Sequence, residues 1–161
     1  MPEGNIMIRT LFLILLSLFS LPSFAGISDA VNLTMCAVSF DAGDPRRVQF
    51  AQRAFDAMPT DVYAQNPTLL PVGADPKTAA YTAAVGASRL ELEERTVQFL
   101  NVEANKRIRS FEAYSTLLMI SKKGAWIVAY SRAAGVSPAE AERTWADGEL
   151  AVRRQFQLNC K

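Results

Sequence analysis

An all-α, single-domain bundle of four to six helices, following a cleaved signal peptide and tied near its ends by one disulfide, is the architecture this sequence predicts. Three observations lead there. Apolar residues recur at three- and four-residue spacing along nearly the whole chain, with no strand-like alternation. Three aspartate or serine residues stand directly before a proline at the head of such a stretch, the cap-then-proline start of a helix. Half of the 161 residues are apolar and 20% are charged, enough apolar material for a core and too little net charge, +1, for a disordered or polyelectrolyte chain.

The N-terminus reads as an export signal over residues 1–25. Arg9 precedes an apolar run from Leu11 to Leu21, followed by Pro22 and by Ser23-Phe24-Ala25, which places small residues at both cleavage-determining positions. The run is about a dozen residues long, short of the ~20 that span a bilayer as a helix. Ser17, Ser20 and Pro22 interrupt it further. Cleavage after Ala25 leaves a helical domain, 26–161, expected to be soluble outside the cytoplasm and not stably inserted in a membrane. Glu3 and Arg9 leave together, so the net charge stays at +1.

Along the mature chain, Val31, Met35 and Val38, with Cys36 and Phe40, form the first apolar stripe, which stops at Asp41-Ala42-Gly43. Asp44 caps and Pro45 starts a second helix, with Val48, Ala51, Phe55 and Met58 as its inward face, ended by Pro59. Periodicity disappears from Pro59 to Asp75, where Pro67, Pro71 and Gly73 mark a long loop. Asp75-Pro76 opens an alanine-rich stretch whose apolar positions continue through Leu90, Val97, Leu100, Ala104, Ile108, Phe111 and Leu118. It reads as one or two helices, with Gly86 and Ser110 as the candidate breaks and Lys122-Lys123-Gly124 as the end. A short apolar helix, Trp126 to Ala134, closes at Gly135. Ser137-Pro138-Ala139-Glu140 is a capping box opening the last helix, which turns Ala141, Trp145, Val152 and Phe156 inward.

Cys36 and Cys160 are the only cysteines. In an oxidising compartment such a pair is expected to form an intramolecular bridge; their separation is wrong for CxxC redox chemistry, and two thiolates are too few for structural zinc. Asn32-Leu33-Thr34 matches a glycosylation sequon and is read as coincidence. The chain contains no histidine, which excludes Ser/His/Asp and Cys/His relays, HExxH zinc sites and histidine pH switches. No catalytic residue, metal ligand or cofactor site is assigned.

The densest acidic cluster, Glu91, Glu93 and Glu94, could supply an acid and a base to a cell-wall or glycan hydrolase. Glu91 with Arg95, Glu103 with Arg107 and Glu149 with Arg153 instead have the i,i+4 order of solvated helix pairs. Arg46-Arg47 and Arg153-Arg154 read as surface, and Trp126 and Trp145 as core anchors. Beside a cavity, the two tryptophans would suit a carrier of a small apolar ligand. The Pro59–Asp75 loop carries more apolar residues than a solvated linker needs, and Tyr63, Leu69 and Leu70 are its candidate partner contacts.

The string Ser131-Arg132-Ala133-Ala134-Gly135-Val136-Ser137-Pro138 resembles the turn of helix-turn-helix repressors of the LacI kind, which would imply DNA binding. Ala141 and Thr144 fall where that motif has branched apolar residues, and the chain is read as exported, so no nucleic-acid partner is expected. Ala134-Gly135-Val136 through Trp145 is similar to part of the helical insert of DsbA-type thiol oxidoreductases, without their CPHC site. Both resemblances reduce to a helix, a glycine turn and a capped helix. In architecture the chain resembles the small exported helical immunity proteins that block type VI secretion amidases, or a helical accessory subunit of a secretion or conjugation machine. The expected role is therefore non-enzymatic binding of another exported or periplasmic protein.

Overall fold

The structure, a computed structural model, describes residues 24–60 and 72–161. Six helices occur among them: α1 (Phe24–Ser39), α2 (Pro45–Ala57), α3 (Pro76–Asn105), α4 (Phe111–Leu118), α5 (Lys123–Ala134) and α6 (Pro138–Leu158). No described helix is long and apolar enough to cross a membrane. The signal segment lies outside the described residues except for Phe24 and Ala25, which begin α1. Tyr63, Leu69 and Leu70 also lie outside them.

Helix starts follow the local chemistry. Asp44 accepts a hydrogen bond from the Arg46 amide and Asp75 from that of Thr78, both at 2.9 Å, with proline at the next position. Ser110 caps α4 and Ser137 caps α6 in the same way. Gly135, at φ 66°, ends α5 in the left-handed conformation that glycine adopts without Cβ strain.

The thirty residues of α3 form a spine about 45 Å long, at 1.5 Å per residue. Its buried positions Ala80, Ala84, Ser88, Leu92, Thr96 and Leu100 recur every four residues. Four steps turn an α-helix through about 400°, so the buried stripe winds round the spine by about 40° at each repeat. The first half thereby meets α1 and α2, where Ala30, Met58, Ala80 and Ala84 pack together. The second half meets α4, α5 and α6 in the larger core, which holds Leu100, Leu117, Trp126, Tyr130 and Trp145. Trp126 stacks on Tyr130 with ring centroids 4.6 Å apart and touches Trp145 at 5.7 Å. Its indole nitrogen donates to Asn101 Oδ1 at 3.1 Å, satisfying a buried polar pair.

Cys36 and Cys160 are bridged, with Cα atoms 5.7 Å apart, and this joins α1 to the end of α6. Beside the bridge, Phe40 stacks on Phe50 and the Gln157 amide donates to the Ser39 carbonyl. Thr34, third residue of the sequon, is fully buried and bonded to the Ala30 carbonyl within α1.

Several inward assignments are corrected. Val48 is 67% exposed, because α2 rotates Phe50 and Ala54 inward to meet Phe40 and α1. Leu90 is exposed because it lies about 200° round α3 from both Ser88 and Leu92, which are buried. Phe111 and Leu118 are exposed because the eight-residue α4 buries the stripe through Leu117, about 100–120° round the helix from them. Of the two candidate breaks, Gly86 does not interrupt α3 and Ser110 does mark the division: α3 ends at Asn105, residues 106–110 link the helices, and Ser110 caps α4. Lys122 and Lys123 begin α5 rather than ending a helix, since Glu93 of α3 accepts the Lys123 amide and supplies the cap that the Lys122 side chain does not.

Candidate functional site

Five of the six helices contribute to one concave surface of about 570 Å³. Its apolar part comes from Val38 of α1, Leu92 of α3 and Trp145 of α6. Around these stand four cations, Arg47, Arg89, Lys123 and Arg153, and two carboxylates, Glu93 and Glu149. Both carboxylates are committed within the fold. Glu93 caps α5, and Glu149 pairs with Arg153 Nη2 at 2.7 Å. Arg153 also reaches Asp41, at 3.2 Å, and Arg47 donates to the Phe40 carbonyl at 3.0 Å. Arg89 and Lys123 form no ion pair among the described residues. The Lys123 ammonium lies 6.0 Å from the Trp145 ring centroid, at the outer range of a cation–π contact.

Two residues that line this cleft each carry a buried N–H with no acceptor among the described residues, Trp145 Nε1 and Arg153 Nε. Trp145 itself is 1% exposed. Buried donors are nearly always paired, so this wall carries an excess of N–H groups over acceptors.

Across the tryptophan pair lies a second, smaller cleft of about 310 Å³ between α3, α5 and α6. Trp126 and Tyr130 line it, with Glu103, Arg107 and Asp147 nearby; the Arg107 guanidinium donates to the Tyr130 hydroxyl at 3.3 Å. This contact replaces the expected pairing of Arg107 with Glu103, whose carboxylate binds Lys106 at 2.8 Å instead. The two tryptophans touch one another and line different clefts, so they do not share the single ligand cavity considered from the sequence.

The acidic cluster is divided by its own helix. Glu91 pairs with Arg95 at 2.8 Å, Glu93 caps α5, and Glu94 is exposed. No group of three potential metal-ligating side chains occurs among the described residues.

A third feature is apolar and convex. Phe111, at the first position of α4, is 85% exposed; Leu118 and Met119, at its end, are 52% and 87% exposed. Phe111 and Leu118 are seven residues apart and share one helix face. Sequence periodicity counted both as core, and the error conceals the surface they make. The cleft cations were hidden differently: Arg47 and Arg153 read as solvated pairs and Lys123 as a helix end, because four helices must pack before their charges meet. No family model, curated protein or solved structure matches the chain.

Proposed function

We propose that this protein is an exported, non-enzymatic helical protein that binds another protein of the same compartment, as an immunity-type inhibitor or a secretion or conjugation accessory subunit does. The observation that supports this best is the exposed set Phe111, Leu118 and Met119 on and beside α4. Exposed single apolar residues are common, but an aromatic, a leucine and a methionine clustered at one short helix are the residue types that anchor interfaces. The Cys36–Cys160 bridge and the apolar segment before Ala25 support export.

The test compares binding with folding. A Phe111→Ser, Met119→Ser pair should weaken capture of the partner from periplasmic extract by more than about 1 kcal/mol, while the melting temperature stays put. Tyr63→Ala and a Leu69→Ser, Leu70→Ser pair test the other proposed contact in the same assay. Capture untouched by either set would end the protein-binding reading based on these surfaces. Hydrolysis of purified cell wall by the protein, lost in Glu91→Gln or Glu94→Gln, would replace it with the hydrolase.

A further inference from the structure

We infer that the cleft between α1, α2, α3, α5 and α6 binds a small organic anion, a carboxylate or phosphate carried on an apolar or aromatic body. The inference rests on residues separate from the α4 surface and goes beyond protein binding.

The charge balance of the cleft is its first support. Four cations and two carboxylates line it, and both carboxylates are already engaged, one by a backbone amide and the other by Arg153. Elsewhere among the described residues Arg46, Lys77, Arg95 and Lys106 pair with carboxylates, while unpaired cations such as Arg109 and Arg143 stand on exposed surface outside the cleft lining; the cleft differs in gathering its cations round one concavity. Arg89 and Lys123 stand in the concave region without such a match, and Arg47 finds only a carbonyl. A ligand that completes this set must bring negative charge.

The second support is independent of net charge. Trp145 Nε1 and Arg153 Nε are buried donors without acceptors, and both residues line this cleft. Ser88 Oγ is the remaining buried side-chain atom without a partner among the described residues. Both atoms lie beneath the cleft surface, so an oxygen-rich group would pair with them only after a small shift of the Trp145 and Arg153 side chains, and such pairing would remove an unmet donor. Trp145, Leu92 and Val38 supply apolar contact for the body of the ligand. A volume of about 570 Å³ lies within the roughly 300–1,000 Å³ of small-molecule sites, which favours a small anion over an extended polymer.

Phenyl phosphate, benzoate, inorganic phosphate and benzyl alcohol serve as probes, read by the two indole N–H resonances of the protein. Trp126 donates to Asn101, whereas Trp145 lines the cleft, so the two signals report different places. Phenyl phosphate or benzoate should shift the Trp145 signal in a saturable way and leave that of Trp126 nearly still. The stronger of the two identifies the headgroup, and inorganic phosphate should bind more weakly than phenyl phosphate. Arg89→Ala and Lys123→Ala, both at exposed positions, should each weaken binding about tenfold, as expected for loss of a charged hydrogen bond. Arg109→Ala and Arg143→Ala, exposed cations outside the cleft lining, should leave binding unchanged. The inference is overturned if neither anion moves Trp145, if benzyl alcohol moves it equally, or if the outlying substitutions weaken binding as much as the cleft ones. Because the α4 variants leave this cleft intact, failure of protein capture does not alter the result.

Discussion

Replacing Gly148 with alanine sets two effects of known sign against each other. Alanine is favoured over glycine inside a helix by about 0.8–1 kcal/mol, and α6 contains Gly148 at its centre. The added Cβ would clash with Leu100 of α3, closest to Cδ2, and lie 2.7 Å from Cγ and 3.2 Å from Cδ1. Leu100 is 3% exposed and packed into the tryptophan core, so it cannot swing into solvent. Overpacking of this kind costs about 1–3 kcal/mol, and in so confined a site the clash should outweigh the helix gain by up to about 2 kcal/mol. For a chain of this size that lowers the melting temperature by up to roughly 6 °C. Gly86→Ala is the internal control, since its Cβ meets nothing within 4 Å on the exposed side of α3; it should stabilise by about 1 kcal/mol. Urea unfolding of both variants, together with Leu100→Ala and the double variant Gly148→Ala, Leu100→Ala, measures the coupling. The pair should lose less stability than the sum of the singles, because the space vacated by Leu100 accepts the new methyl. A Gly148→Ala variant as stabilised as Gly86→Ala, or strict additivity in the double variant, would refute a close α3–α6 approach at this point.

Three further outcomes are expected. The bridge joins residues 124 apart in sequence; replacing both cysteines with serine should lower stability by up to about 5 kcal/mol on the chain-entropy account, measured by denaturant titration against the oxidised protein. Asn101→Ala strands the buried Trp126 N–H and should cost about 1–3 kcal/mol, visible as a lower urea midpoint and a displaced indole resonance. The Arg46 guanidinium beside Asp44 holds its carboxyl below the usual aspartate range; this folded value is depressed, so the contribution of the α2 cap persists above the ordinary range and is lost as pH falls through the lower value. Carboxyl resonances followed during acid titration should show the low midpoint, with Arg46→Ala moving it upward.

What was legible in the sequence is what depends on neighbours in the chain. Asp44, Asp75 and Ser137 announce their helices because a cap needs only the next three residues, and Trp126 and Trp145 announce the core because so large a ring needs cover. The bridge follows from having two cysteines in a chain whose first residues read as an export signal. Which face a helix buries is set by its partner, so Val48 and Leu90 satisfied the period while pointing outward. In α3 the abundance of alanine allows several stripes of nearly equal apolarity, and contact with α1 and the end of α2 selects the one through Ala80 and Ala84. Glu93 as the cap of α5 lies thirty residues from the amide it accepts, a relation that no local pattern records. The cleft was the least legible feature, since an overall charge of +1 averages away cations that four helices bring together.

The bridge between Cys36 and Cys160 also turns most of the chain into a closed covalent ring. Helices α2 to α6 and all the segments between them lie inside it. A protease that cuts one of those segments leaves both pieces attached, each held at high local concentration beside its packing partner. Such a nicked molecule should keep its mass on a non-reducing gel and fall into fragments only when reductant is added. The effect is tolerance: a single scission does not separate the cleft from the α4 surface, and only reduction or a second cut releases a piece.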